Sequence, residues 1–123
     1  MPEVPEDQIF RFVIASFPSV WALETMLLLK GIIPSARTMD EIVSMLRSSK
    51  PAVAQALRRL ENAGLISSAE EIYRYSPASP VLASLADEVE HLYASKPLSL
   101  ITAIVRANSE NLNIFAESFR ITE

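Results

Sequence analysis

Apolar residues recur at helical spacing along most of this chain, and the breaks between the runs fall at proline, glycine and serine. The spacing predicts a first helix from Asp7 that is apolar on more than one face. Pro18 and Ser19 open a second helix, which runs through Lys30 and ends at Gly31. We expect the centre of the core to consist of Val20, Trp21, Leu23, Leu27 and Leu28.

The C-terminal part of the chain repeats the same spacing. Ser79 and Pro80 start a helix to Ser95, with apolar positions at Val81, Leu82, Leu85, Val89 and Leu92. Pro97 interrupts the pattern. The helix that follows carries Leu98, Ile101, Ile104 and Val105, and a last helix carries Leu112, Phe115 and Phe119.

Between these two halves, residues 38–64 predict two short helices joined by a tight turn. Thr38 and Glu41 form a capping box that starts a helix at Met39, and its apolar run breaks at Arg47-Ser48-Ser49. Ser49 then caps a second helix that has Pro51 in its first turn and ends at Gly64. Its inward positions are Val53, Ala56, Leu57 and Leu60, and its outward face holds Lys50, Ala52, Gln55, Arg58 and Arg59.

A β-hairpin is predicted directly after the second short helix. Residues 65–67 and 72–76 are rich in β-branched and aromatic side chains, and residues 68–71 join them. The order of elements is therefore helix, turn, helix and hairpin.

The pattern Ser-Lys-Pro-x-Val-x-x-x-Leu-x-Arg-Leu-Glu-x-x-Gly-Leu-Ile at residues 49–66 resembles the recognition helix and first wing strand of MarR-like and ArsR-like bacterial transcription regulators. Residues 20–29 and 115–120 are similar to small stand-alone winged-helix proteins. The resemblance implies a mainly α winged helix-turn-helix fold with a small β-hairpin wing and extra N- and C-terminal helices. We therefore expect one domain over 1–123, with the helix-turn-helix at 38–64, the wing at 65–76 and dimerisation helices at 80–119.

Composition narrows the alternatives further. The chain has 123 residues, half of them apolar, which suits one domain with a core of its own. Its longest apolar run is too short to cross a bilayer and its N-terminus is acidic, so we expect a cytoplasmic protein. It has no cysteine, which excludes disulfides, thiolate metal sites and thiol redox switches.

The net charge of −4 argues mildly against a nucleic-acid partner, but the distribution of charge along the chain favours double-stranded DNA. Residues 47–60 contain four basic side chains and no acidic one. Phosphate contacts are predicted for Arg47, Lys50, Arg58 and Arg74, and base contacts in the major groove for Ser49, Ala52 and Gln55. For Arg59, a pair with Glu61 or a packed stem is at least as good an interpretation as a phosphate contact.

The charge of the predicted hairpin tip differs from that of the regulators that the sequence resembles. Winged regulators of this kind carry basic residues there, whereas this chain has Glu70 and Glu71, which repel phosphates. A winged-helix protein-interaction module that does not bind DNA is therefore the alternative to a sequence-specific regulator.

Other chemistry is poorly supported. Asp87 and His91 lie one helical turn apart, but two ligands do not make a metal site, and we expect a surface pair instead. Motifs for nucleophilic catalysis or phosphate binding are missing, so we expect neither an enzyme nor a cofactor, and the sequence identifies no small-molecule effector. Surplus apolar side chains near both termini predict a homodimer; they are Ile9, Phe10, Phe12, Val13, Ile14, Leu112, Phe115 and Phe119.

Overall fold

The computed structural model describes residues 4–31 and 35–108, which form six helices and a small three-stranded antiparallel sheet. The elements in chain order are α1 (Glu6–Ser16), α2 (Val20–Lys30), β1 (Arg37–Thr38), α3 (Met39–Leu46), α4 (Lys50–Asn62), β2 (Ile66–Ala69), β3 (Ile72–Tyr75), α5 (Pro80–Ser95) and α6 (97–108). The predicted order of two short helices followed by a hairpin is confirmed.

Hydroxyl side chains cap four of the helices at the positions that the sequence predicts. The Ser19, Ser49 and Ser79 hydroxyls each accept a hydrogen bond from the backbone N–H three residues later, at 3.2, 3.3 and 3.2 Å. Thr38 Oγ1 accepts the Glu41 N–H at 3.2 Å, and Glu41 Oε1 accepts the Thr38 N–H at 3.0 Å. Such caps satisfy N–H groups that have no partner inside the helix, which is why these helices start where they do.

Gly64 ends α4 in the left-handed conformation that glycine tolerates, with φ +77°. Its N–H donates to the Glu61 carbonyl, and the Leu65 N–H donates to the Leu60 carbonyl, both at 3.0 Å. A Cβ at this position would stand 3.2 Å from the Ala78 Cβ. The close approach and the positive φ both explain glycine here.

The sheet has the strand order β1-β3-β2. β2 and β3 pair from Ile66 opposite Tyr75 to Ala69 opposite Ile72, so the hairpin turn contains two residues, Glu70 and Glu71. The predicted linker of 68–71 was therefore two residues too long. The sequence also did not predict β1, which pairs with β3 on its other edge and is only two residues long.

The core lies between the helices and one face of the sheet, and it differs from the prediction on α2. Trp21 is 41% exposed, and Val20, Leu27 and Leu28 are only half-buried. The buried face of α2 instead consists of Ala22, Leu23, Thr25, Met26 and Leu29. Because α2 is apolar around its whole circumference, spacing alone does not select the inward face; packing against α4 does.

Corrections of the same kind apply to α5 and α6. Val81, Leu98 and Val105 are 65%, 75% and 51% exposed, while Leu100 and Ile104 fill the core. On α5 the other predicted positions do lie inside, since Leu85, Val89 and Leu92 are buried and Leu82 is half-buried. On α6 the predicted Ile104 is buried, together with Leu100, which was not predicted. Neighbouring elements decide which apolar side chains find partners.

Part of the predicted dimer surface is used within the chain. Ile9 and Val13 on α1 are buried in the core, whereas Ile14 is 46% exposed. The remaining members of that set on α1 are half-buried. Leu112, Phe115 and Phe119 lie outside the described residues, as does the part of the predicted dimerisation segment after residue 108.

α1 and α2 meet at a bend of 105°. The Phe12 and Phe17 rings pack edge to face at the bend, with centroids 5.8 Å apart. Over residues 4–31 and 35–108, only this bent pair together has the length and apolar composition to cross a membrane, and no single helix does.

Candidate nucleic-acid interface

The outward face of α4 is the most basic helical surface among the described residues. Gln55, Arg58 and Arg59 are exposed, while Val53, Ala56, Leu57 and Leu60 on the opposite face are buried. Four buried apolar side chains hold the helix against the core and leave the polar face to solvent. α4 therefore exposes a row of polar and basic side chains, as the sequence predicts.

The predicted base-contacting residues are not equally available at the start of α4. Ser49 and Gln55 are exposed, whereas Ala52 is half-buried on the flank of the helix. Ser49 Oγ also accepts the Ala52 N–H, which uses one of its two acceptor sites and holds the hydroxyl at the helix start. Gln55 remains the best-placed side chain for reading a base edge.

Arg47 ends α3 in the left-handed conformation, with φ 54° and ψ 41°. The adjacent Ser48 N–H donates to the Val43 carbonyl at 3.1 Å, which closes the last turn of α3. The turn between α3 and α4 therefore places the exposed Arg47 side chain just before Ser49 and Lys50.

Arg59 does not pair with Glu61 among the described residues. Residues two apart on a helix point in different directions, and Glu61 Oε2 instead accepts a 3.4 Å hydrogen bond from Ser68 on β2. Arg59 is exposed, beside a cavity that it shares with Asn62 of α4 and Asn108 of α6. The other two interpretations for Arg59, a packed stem and a phosphate contact, both stay open.

The hairpin contributes one exposed cation and two exposed carboxylates. Arg74 on β3 lies opposite Ser67 on β2. Glu70 and Glu71 form the turn with φ values of 54° and 66°, which is the backbone of a type I′ hairpin turn usually built from asparagine and glycine. The tip is therefore acidic and also conformationally strained.

Lys50 shares a cavity with two carboxylates that come from other elements. It lines a cavity of about 330 Å³ that brings together the start of α3, the start of α4 and the hairpin. The carboxylates that line this cavity belong to Asp40 and Glu71. In the part of the chain described, neither lies within 4 Å of Lys50 as an ion pair. The sequence shows no acidic residue between positions 47 and 60, so it did not predict that Asp40 and Glu71 would share a cavity with Lys50.

A polar cluster, formed by the mostly buried Lys30 side chain with Tyr75, Asp87 and Glu90, joins α2 to β3 and α5. Lys30 Nζ lies 2.7 Å from Glu90 Oε1, 2.9 Å from Asp87 Oδ1 and 5.8 Å from the centre of the Tyr75 ring. Burial alone would lower the pKa of Lys30, but its hydrogen bonds to Glu90 and Asp87 outweigh burial and raise the pKa. Burial raises the pKa of Tyr75.

The Lys30 cluster corrects the prediction for Asp87. Asp87 pairs with Lys30 of α2, not with His91 one turn away, and His91 is exposed. Within residues 4–31 and 35–108, no group of three or more histidine, aspartate and glutamate side chains could hold a metal ion. The sequence contains no signal for this cluster, because its members are separated by up to 60 residues.

A second polar contact that the sequence did not reveal joins α5 to α2. The Tyr93 hydroxyl donates a 2.6 Å hydrogen bond to Glu24 Oε1. This hydrogen bond, assisted by burial, raises the pKa of Tyr93 to about 12. The hydrogen bond thereby fixes the position of the Glu24 carboxylate.

No protein-family model matches this chain, and no curated protein or solved structure matches it significantly. Any assignment of function must therefore rest on its own residues.

Proposed function

We propose that the chain is a winged helix-turn-helix transcription regulator that binds double-stranded DNA as a homodimer. One observation carries the proposal: α4 exposes Gln55, Arg58 and Arg59 on a single rigid face, and a helix and a hairpin flank it. A helix of this width fits the major groove of B-form DNA, where glutamine can pair with adenine and arginine can contact phosphates or guanine.

In this proposal, the two classes of contact come from different parts of the surface. Arg47, Lys50, Arg58 and Arg74 neutralise phosphates and orient the helix, and Gln55 with Ser49 reads base edges. Ala52, being half-buried, supplies at most an apolar contact at the edge of the groove.

A protein-interaction module that does not bind DNA is the second candidate, and the surroundings of Lys50 favour it. Asp40 and Glu71 share a cavity with Lys50, and Glu70 extends the negative charge over the hairpin tip. These carboxylates would repel phosphates at the point where the hairpin would approach the DNA backbone. A basic segment of a protein partner would complement them.

The dependence of binding on salt separates the two candidates. A DNA-binding surface must release counterions, so affinity for random duplex DNA should fall steeply as salt rises. Lys50→Ala and Arg58→Ala should each reduce the slope of log affinity against log salt by about one. Arg11→Ala removes the same charge from α1 and serves as the control.

Gln55→Ala tests sequence reading separately from charge. Because base contacts specify and phosphate contacts position, this variant should lose about 1–3 kcal/mol on the cognate site and bind random DNA as the wild type does. A promoter-enrichment experiment on the native genome supplies the cognate site. A folded wild type without salt-sensitive DNA binding would reject the regulator and leave the interaction module.

A further inference from the structure

An open groove between α2 and α3 contains two large exposed apolar side chains from different helices. It is lined by Val20, Trp21, Glu24, Met45 and Leu46, and we name it the α2–α3 groove. Its volume is about 560 Å³, within the range of small-molecule sites. Trp21 and Met45, from different helices, are 41% and 48% exposed there.

The groove combines three chemical features that suit one class of ligand. Trp21 offers the aromatic face that attracts cations most strongly. Met45 offers a flexible, polarizable thioether that adapts to irregular apolar shapes. Glu24 is the only charged residue in the lining, and it lies one helical turn after Trp21 on α2, so both side chains share a face.

The charge of Glu24 is not compensated locally. Over the described residues, no lysine or arginine lies within 4 Å of its carboxylate. The Tyr93 hydroxyl occupies Oε1 at 2.6 Å and fixes the carboxylate, but it supplies no positive charge. A carboxylate beside apolar surface, in a protein of net charge −4, attracts cations and repels anions.

We propose that the α2–α3 groove binds a small apolar cation, of the class of quaternary ammonium or phosphonium compounds with aromatic or alkyl substituents. The cation would stack on Trp21 with Glu24 as its counterion, and its apolar groups would cover Val20, Met45 and Leu46. This inference concerns a surface other than the outward face of α4 and does not depend on DNA binding.

Two probe ions of nearly equal size and shape test the charge preference directly. Tetraphenylphosphonium is the cation and tetraphenylborate is its anionic counterpart. Trp21 is the only tryptophan in the chain, so its emission reports on the groove, and calorimetry provides a second readout. We expect saturable binding of tetraphenylphosphonium, with a dissociation constant at least about tenfold lower than that of tetraphenylborate.

Three variants assign the preference to Glu24. Glu24→Gln should weaken tetraphenylphosphonium binding about tenfold, whereas Glu70→Gln, which changes net charge equally on the hairpin, should not. Tyr93→Phe removes the hydrogen bond but keeps the carboxylate, and it should retain binding. Equal losses in Glu24→Gln and Tyr93→Phe would assign the effect to the hydrogen bond and overturn the proposal.

Other outcomes also overturn it. If both ions bound with equal affinity, the groove would be an apolar surface that does not distinguish a cation from an anion. If neither ion binds, and Trp21 emission instead changes with protein concentration, a second copy of the chain covers the groove.

Discussion

Lys30 Nζ donates a 2.7 Å hydrogen bond to Glu90 Oε1, which joins the last turn of α2 to the middle of α5 across 60 residues of sequence. The Lys30 side chain is only 12% exposed, whereas Glu90 and its neighbour Asp87 are 40% and 59% exposed. A charge that is mostly removed from water needs such partners, and it orients the two helices in return.

We expect Lys30→Met to lower the free energy of unfolding by about 1–3 kcal/mol, because the apolar stem stays but the charged hydrogen bonds are lost. The matched control is Lys96→Met, whose pair with Glu6 is exposed and 3.4 Å long; it should change stability by less than about 0.5 kcal/mol. Urea denaturation measures both. Equal effects would show that Lys30 contributes no more than a surface charge.

The same cluster should make stability depend on pH. The pKa of Lys30 is raised above its ordinary value of 10.5, so its contribution is complete below pH 10.5 and is lost as pH rises through the folded-state pKa. Denaturation at several alkaline pH values should therefore show a decline that is smaller in Lys30→Met. An identical decline in both proteins would assign it to other groups.

The Tyr93 hydroxyl should titrate near pH 12, because ionising it would break its hydrogen bond to Glu24, in a partly buried place, and would add a second negative charge there. The folded-state pKa exceeds the ordinary value of 10.0, so stability from this pair is complete below pH 10 and is lost as pH rises towards 12. Ultraviolet titration of tyrosinate should show a late component that Tyr93→Phe reduces, while Tyr75, whose pKa burial also raises, keeps contributing to it. Glu24→Gln should move the Tyr93 part of that component to lower pH, and a late component that is unchanged in Tyr93→Phe would contradict the assignment.

The hairpin turn should be easy to stabilise. Glu70 and Glu71 both have positive φ, which costs a non-glycine residue free energy that asparagine and glycine avoid. Glu70→Asn with Glu71→Gly should raise the free energy of unfolding by about 1 kcal/mol. Glu70→Gln with Glu71→Gln removes the same charges without relieving the backbone, so an equal gain there would mean that charge repulsion is the cause.

Assembly gives a further prediction. Light scattering at micromolar concentration should report twice the chain mass of 13.6 kDa, as a regulator with two half-sites requires. On α6, Val105→Glu should shift the mass to one chain if its exposed apolar side chain lies in the interface, whereas Met45→Glu on α3, outside the predicted dimerisation helices, serves as the control. A monomeric wild type would remove the two-half-site arrangement.

The sequence by itself determined where most helices start and where α4 ends. The helix caps depend on hydrogen bonds between residues three apart, as in the capping box of Thr38 and Glu41 and in the Ser49 cap. Gly64 likewise ends α4 for a local reason, because glycine tolerates the positive φ of its own backbone. Local chemistry of this kind does not depend on the rest of the fold, so it can be predicted from short segments.

The candidate interface was predicted only in part, because some of its features depend on α4 alone and others on elements that pack beside it. Gln55 and Arg58 are exposed because the apolar stripe of α4 fixes which face turns inward. Asp40 and Glu71, which share a cavity with Lys50, belong to other elements, so the spacing of residues within α4 cannot predict their position.

Tertiary structure alone decided which face of α2 is buried, the pairing of β1 with β3 and the partners of Lys30. Trp21 and Leu23 are equally suited to a core, and only the fit of α2 against its neighbours leaves the first exposed and the second buried. A two-residue strand has too few positions to show an alternating pattern, and the bond from Lys30 to Glu90 spans 60 residues. Contacts between distant segments depend on how whole elements pack, and this information is not present in any local stretch of the chain.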